Sequence, residues 1–142
     1  KTVLRLRQER EELGHEYVGR KVLLVEDNAL NAEIATELLE MVGLRVEWAE
    51  NGKVGIQRYE ASAPDEYFAV FMDMQMPVMN GLEAARAIRK LNHPEARSIP
   101  IIALTANAYQ EDMEACMAAG MNEHLAKPIR IEEVVQVLAK YL

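Results

Sequence analysis

Asp73 ends the apolar run Tyr67-Phe68-Ala69-Val70-Phe71-Met72 and opens the turn-forming stretch Met74-Gln75-Met76-Pro77-Val78-Met79-Asn80-Gly81. A carboxylate at the end of a buried strand needs a chemical reason, because burying an unpaired charge is costly. Two further apolar runs also end in reactive groups: Val22-Leu23-Leu24-Val25 in the acidic pair Glu26-Asp27, and Ile99-Pro100-Ile101-Ile102-Ala103-Leu104 in the hydroxyl of Thr105. A fourth element delivers Lys127 immediately before Pro128. In an open parallel sheet the carboxyl ends of the strands share one edge, where ligands bind. Three acids, a hydroxyl and an ammonium are therefore expected to converge there.

Such a cluster is electrostatically unfavourable on its own, since like charges at about 4 Å repel by roughly 4 kcal/mol at an effective dielectric near 20. A divalent cation removes the repulsion. The donors are oxygens only, few in number, with no His or Cys beside them, and that set favours Mg²⁺, a hard ion that keeps several waters and bridges to phosphoryl oxygens.

The elements that must position these groups are legible as an alternation. After Gly19, apolar runs of strand length alternate five times with amphipathic segments of helical length, the pattern of a parallel sheet built from βα units. Strands are expected at about 22–26, 44–48, 67–72, 100–104 and 121–125, and helices at about 29–42, 52–62, 82–91, 108–118 and 131–141. In the first helix Leu30, Ile34, Leu38 and Met41/Val42 recur at the spacing of one buried face, with Gly43 ending it. In the last, Ile131, Val134/Val135, Leu138 and Tyr141 do the same.

The 142 residues, half of them apolar, suffice for one domain with a core. Residues 1–19 read as an extension: Val3, Leu6, Leu13 and Tyr17 have an a/d-like spacing with Arg10 in the remaining slot, which suits either a short helix or a solvated linker. The chain starts at Lys1 rather than methionine, so a longer parent polypeptide is expected. Net charge is −7, yet residues 1–21 are positive on balance, so the globular part is acidic and nucleic-acid binding by it is not expected. The lone Cys116 has no intrachain partner for a disulfide, and its spacing from Met113 predicts a core-facing helical position. No apolar stretch is long enough to span a bilayer.

With these residues in place, Val-Glu-Asp-Asn at 25–28, Met-Asp-Met-Gln-Met-Pro-Val-Met-Asn-Gly at 72–81, Ala-Leu-Thr-Ala-Asn-Ala at 103–108 and Lys-Pro-Ile at 127–129 resemble the response-regulator receiver family. The resemblance runs from about Arg20 to Leu142, and the loops are most like receivers attached to hybrid sensor histidine kinases. It implies a flavodoxin-like (βα)₅ fold with strand order 2-1-3-4-5. It also implies that Asp73 is the phosphoacceptor, Asp27 a direct Mg²⁺ ligand, Glu26 a second acid acting through water, and the Gln75 carbonyl a further ligand. Thr105 and Lys127 would bind phosphoryl oxygens, with a cis Lys127-Pro128 bond aiming the lysine inward. The chain departs from the family at His124, three residues before the lysine, where Tyr or Phe is usual; an in/out histidine switch and an exposed strand-end histidine carry equal weight.

By the same resemblance the partners are a histidine kinase phosphodonor domain or a histidine phosphotransfer protein. Docking is expected at the start of the first helix, around Leu30, Ala32 and Ala35. The domain would catalyse its own phosphorylation and dephosphorylation, and within a hybrid sensor it would belong to a histidine kinase with its receiver in the cytoplasm. Homodimerisation and a stand-alone receiver that acts as a docking module stay open. A flavin-binding protein would share the sheet, but its first loop should offer hydroxyls and glycines to a phosphate, where this chain has Glu26-Asp27-Asn28. A haloacid-dehalogenase-like phosphatase wants a second carboxylate two residues after the strand-end Asp, where this chain has Gln75.

Overall fold

A computed structural model describes residues 18–106 and 111–141. Residues 1–17 of the extension expected at 1–19, the start of the helix expected at 108, and Leu142 lie outside the described residues.

Ten elements alternate along the chain: β1 (Lys21–Val25), α1 (Ala29–Met41), β2 (Arg45–Ala49), α2 (Gly52–Glu60), β3 (Tyr67–Asp73), α3 (Gly81–Arg89), β4 (Ile101–Thr105), α4 (Glu111–Ala118), β5 (Glu123–Ala126) and α5 (Ile131–Ala139). The strands pair in parallel in the order β2-β1-β3-β4-β5, as the family resemblance implies. Burial tracks position in the sheet: every residue of the central β3 is buried, whereas the edge strand β2 has only Ala49 buried. α1 and α5 cover one face through Ala32, Leu39, Val134 and Leu138. α2, α3 and α4 cover the other through Tyr59, Ala84, Ile88 and Cys116, so Cys116 does face the core.

Three strand-to-helix loops are pinned by asparagine. Asn28, Asn51 and Asn80 each accept a hydrogen bond from the backbone N–H three residues on, capping α1, α2 and α3. At Asn80 the Glu83 carboxylate answers by accepting from the Asn80 N–H, closing a capping box. These caps hold the loops at the carboxyl edge, where the reactive groups sit.

The structure corrects several expectations. In α1 the buried stripe is Ala32, Ala35 and Leu39, while Leu30, Ile34 and Met41 are exposed; of the expected stripe, Leu38 is partly buried and Val42, just past the helix, is buried. Both stripes have helical spacing, and tight helix-on-sheet packing selects the one with small residues. β2, β4 and β5 sit one to two residues later than expected, so that β4 ends on Thr105; β3 extends to include Asp73, and β1 sits one residue earlier, leaving Glu26 just beyond it. α2, α3 and α5 end at Glu60, Arg89 and Ala139, earlier than the apolar periodicity predicts.

Candidate functional site

The backbone places the site. The Glu26 N–H donates to Ala49 O at 3.1 Å, the Met74 N–H to Leu104 O at 2.9 Å and the Lys127 N–H to Thr105 O at 2.8 Å. Residues just past β1, β3 and β5 are thereby locked to the ends of neighbouring strands. The Lys127-Pro128 peptide is cis.

Glu26 and Asp73 are each only 2% exposed. The Lys127 Nζ lies 2.8 Å from Asp73 Oδ1 and 3.3 Å from Glu26 Oε1. Carboxylate oxygens of Glu26, Asp27 and Asp73 all fall within 4.8 Å of one another. The N–H of Gln75 donates to Asp73 Oδ1 at 3.2 Å, and that of Asn28 to Glu26 Oε2 at 3.1 Å. Thr105, buried, ends β4 beside Lys127.

The electrostatics follow from burial. Desolvation pushes the Glu26 carboxyl up to about 7; the Asn28 N–H opposes this, the hydrogen bond and charge of Asp73 add to it, and Lys127 opposes it again. For Lys127, desolvation lowers its affinity for the proton, but Asp73 and Glu26 outweigh that and hold it above the ordinary lysine range. Three carboxylates against one ammonium leave excess negative charge, and all the donors are hard oxygens. That set fits a hard divalent cation.

Glu26, Asp27, Asp73, Thr105 and Lys127 are thus brought to one edge, as the strand-end reading predicts. The Gln75 side chain is exposed, and its backbone N–H touches Asp73. His124 does not join the cluster: it is half-buried and lines a separate cavity of about 270 Å³ with Glu133, Gln136, Val137 and Lys140. Of the residues expected at a docking surface, Leu30 is exposed, but Ala32 and Ala35 are buried against the sheet. A cleft of about 340 Å³ runs from Glu26 and Lys127 past Leu104 and Ile129 to Ile34, linking the acidic edge to the exposed side of α1.

Two supporting residues escape sequence reasoning. A Cβ at Gly81 would stand 2.5 Å from the Asp73 carbonyl oxygen and 2.9 Å from the Met74 Cα, so only glycine lets α3 start against the backbone of the reactive strand. Its place in the turn stretch signals a bend, but not this contact. Trp48 donates its indole N–H to the Glu26 carbonyl at 2.7 Å, a contact with no signature in the strand pattern.

An open, doubly wound parallel sheet whose carboxyl edge carries an acid pair, a strand-end aspartate, a hydroxyl and a lysine defines a flavodoxin-like α/β domain equipped for phosphoryl chemistry. The chain belongs to the response regulator receiver domain family, which it matches over residues 22–139. It is similar to hybrid signal transduction histidine kinase L of Dictyostelium discoideum, 38% identical over 124 residues that make up 85% of this chain and 7% of that protein. It also resembles the peroxide stress-activated histidine kinase mak1 of Schizosaccharomyces pombe, 33% identical over 87% of this chain and 8% of that protein. The chain therefore spans less than a tenth of these relatives.

Among solved structures it is similar to the receiver domain of a sensor histidine kinase from Pseudomonas aeruginosa PAO1, which has a magnesium ion coordinated in the active site cleft. That similarity is 40% identity at a TM-score of 0.76, covering 87% of this chain and 98% of that one. Another is a co-crystal structure of the Saccharomyces cerevisiae histidine phosphotransfer protein Ypd1 with the receiver domain of its downstream response regulator Ssk1, at 27% identity and a TM-score of 0.74 over 88% of this chain and 90% of that one.

Proposed function

We propose that Asp73 accepts a phosphoryl group from a phosphohistidine on a partner protein in a Mg²⁺-dependent reaction, and that the domain signals by changing its surface or by passing the group onward. One observation carries this reading: Lys127 Nζ reaches two buried carboxylates at once, 2.8 Å from Asp73 and 3.3 Å from Glu26. A structural ion pair would match one acid to one base. Here the acids outnumber the base, which is the arrangement of a site built to receive a cation and an oxyanion together.

In the transfer, an Asp73 carboxylate oxygen bonds to phosphorus as the bond from phosphorus to the donor imidazole nitrogen breaks, and the electron pair stays with that nitrogen. The Lys127 ammonium and the Thr105 hydroxyl bind phosphoryl oxygens and compensate the charge spread over them. Asp27 and Asp73 would ligate Mg²⁺ directly, together with the Gln75 backbone carbonyl, with Glu26 acting through water. When bound, the ion supplies positive charge against the oxygens of the transferred group. The magnesium in the similar Pseudomonas structure supports this assignment.

The curated relatives favour a hybrid sensor histidine kinase as the parent protein, with residues 20–142 as its receiver, residues 1–19 as a linker, and the receiver in the cytoplasm. Among the described residues no helix is long and apolar enough to cross a membrane. The partner is a histidine kinase domain or a histidine phosphotransfer protein, approaching over the exposed Leu30 and Ile34 of α1 and the adjoining cleft; the yeast complex supports that kind of partner.

The test is intact-mass analysis after incubation with Mg²⁺ and acetyl phosphate. One phosphoryl group should be gained by the parent chain and none by Asp73→Asn; undiminished Mg²⁺-dependent modification of that variant would show the acceptor to lie elsewhere.

A further inference from the structure

We propose that Trp48 is a positioning residue for the acidic edge: its indole N–H holds the peptide that joins Glu26 to Asp27 in the orientation needed for cation binding. The proposal rests on the reading of that edge as a Mg²⁺ site.

The argument starts from the end of the β1–β2 ladder. β1 stops at Val25, paired with Ala49, the last residue of β2. Beyond this point the Glu26 N–H still finds Ala49 O at 3.1 Å. Asn51, which would continue β2, instead caps α2. The Glu26 carbonyl is met by a side chain: Trp48 Nε1 donates to it at 2.7 Å. Trp48 lies opposite Leu24 in the register, so its ring extends forward along the sheet by two residues to reach Glu26.

The consequence concerns direction. The carbonyl of Glu26 and the N–H of Asp27 belong to one planar peptide. Fixing the carbonyl fixes that plane, and with it the bond from which the Asp27 side chain departs. Glu26 is buried and is held a second time by the Asn28 N–H on Oε2 at 3.1 Å. Asp27, by contrast, is exposed, and no side-chain hydrogen bond to it is among those described. Its carboxylate is brought within 4.8 Å of those of Glu26 and Asp73 by backbone orientation, and Trp48 is the side chain that sets that orientation. The ring is 40% exposed, so it gives up apolar burial at an edge strand and is held there by the hydrogen bond.

Trp48 is the only tryptophan in the chain. Growth in a tryptophan auxotroph with 3-benzothienylalanine therefore replaces this residue alone, keeping the ring shape and removing the donor; Trp48→Phe is the genetic counterpart. Calorimetric titration with MgCl₂ should show a dissociation constant raised about fivefold in both, the equilibrium equivalent of one net hydrogen bond. The thermal midpoint of the benzothienyl protein should fall by only about 4 °C, the effect of one net hydrogen bond on a domain of this size, with its far-UV circular dichroism unchanged. Trp48 emission in the parent should move with Mg²⁺ along the same isotherm. If the parent binds Mg²⁺ and the benzothienyl protein binds it within twofold as tightly, the positioning role is overturned while the site reading stands. If the parent itself binds no Mg²⁺, the site reading fails.

Discussion

The two edges of the sheet solve the problem of buried charge in opposite ways. At the amino edge the part-buried cations Arg89 and Lys21 are matched by acceptors, and among the described residues the buried side-chain polar atom left without a hydrogen-bond partner is the neutral Tyr59 hydroxyl. The half-buried guanidinium of Arg89 donates to Gly120 O at 2.9 and 2.6 Å, to Ala96 O at 3.0 Å and to Asn122 Oδ1 at 2.8 Å, tying the end of α3 to the loops before β4 and β5. Nearby, Lys21 is shared by Glu66 and Glu47, and Glu66 in turn accepts from the Ala63 N–H. At the carboxyl edge Lys127 faces an excess of acid, and the Glu26 carboxyl is pushed up to about 7. Satisfied polar groups rigidify a fold, and unsatisfied charge is held ready for a ligand. The amino edge is scaffold, and the carboxyl edge is a receptor.

The sharpest way to break this contrast is to remove the central cation from each edge. Lys127→Met should slow phosphorylation of Asp73 by about a hundredfold or more, the usual cost of deleting one group that stabilises developing charge, while the chain stays folded; phosphorylation rates by mass spectrometry and far-UV circular dichroism check both halves. Arg89→Met should do the reverse, lowering stability by about 3 kcal/mol because the Gly120 and Ala96 carbonyls and the Asn122 side chain lose their donor. Below its lowered midpoint it should still phosphorylate at close to the parent rate. A fast Lys127→Met or a slow, fully stable Arg89→Met would dissolve the distinction between the edges.

A smaller effect separates the edges by pH. Glu26 binds its proton more tightly folded than unfolded, with a folded pKa of about 7 against an ordinary 4.5. The folded state therefore holds more protons in that window, and stability falls as pH rises through it. The loss should be on the order of 2–3 kcal/mol and complete above about pH 7. Urea unfolding in EDTA at about pH 5 and about pH 8 should show the loss in the parent and none in Glu26→Gln, and Mg²⁺ should restore stability at the higher pH by relieving the same repulsion. A flat profile in the metal-free parent would mean that Lys127 alone balances the edge.

Much of this was legible in the chain because strand ends and chemistry coincide. Glu26-Asp27, Asp73, Thr105 and Lys127 each follow an apolar run, and parallel pairing brings such ends together whatever the details. What escaped depends on contacts between elements. The face that α1 buries could not be chosen by periodicity, since Leu30-Ile34-Leu38 and Ala32-Ala35-Leu39 both follow the three-to-four spacing of a helix face; closeness of the helix to the sheet selected the stripe with small residues. Gly81 reads as a turn residue until the Asp73 carbonyl is found against it. The reach of Trp48 over the end of β1 crosses strands and leaves no periodic trace.

The smallest expected effect lies between the edges, at His124. Ala103 pairs with His124 and Thr105 with Ala126 in the β4–β5 register, and residues two apart on a strand point to the same face, so the imidazole and the Thr105 hydroxyl share one side of the sheet. A shift of Thr105 toward a phosphoryl group on Asp73 would open room on that side, and the half-buried His124 is the ring beside it, lining a cavity with Glu133, Gln136 and Lys140. His124→Tyr supplies the aromatic ring that receivers usually carry there. In the unmodified domain the change should alter stability by no more than about 0.5 kcal/mol, since no side-chain hydrogen bond of His124 is among those described. With beryllofluoride bound, amide shifts over α4, β5 and α5 should be larger in the tyrosine variant than in the parent, because a bulkier and less polar ring moving inward displaces more of that surface. Equal shifts in the two proteins, with the Thr105 amide nonetheless moved, would confine the response to the carboxyl edge and assign output to docking there.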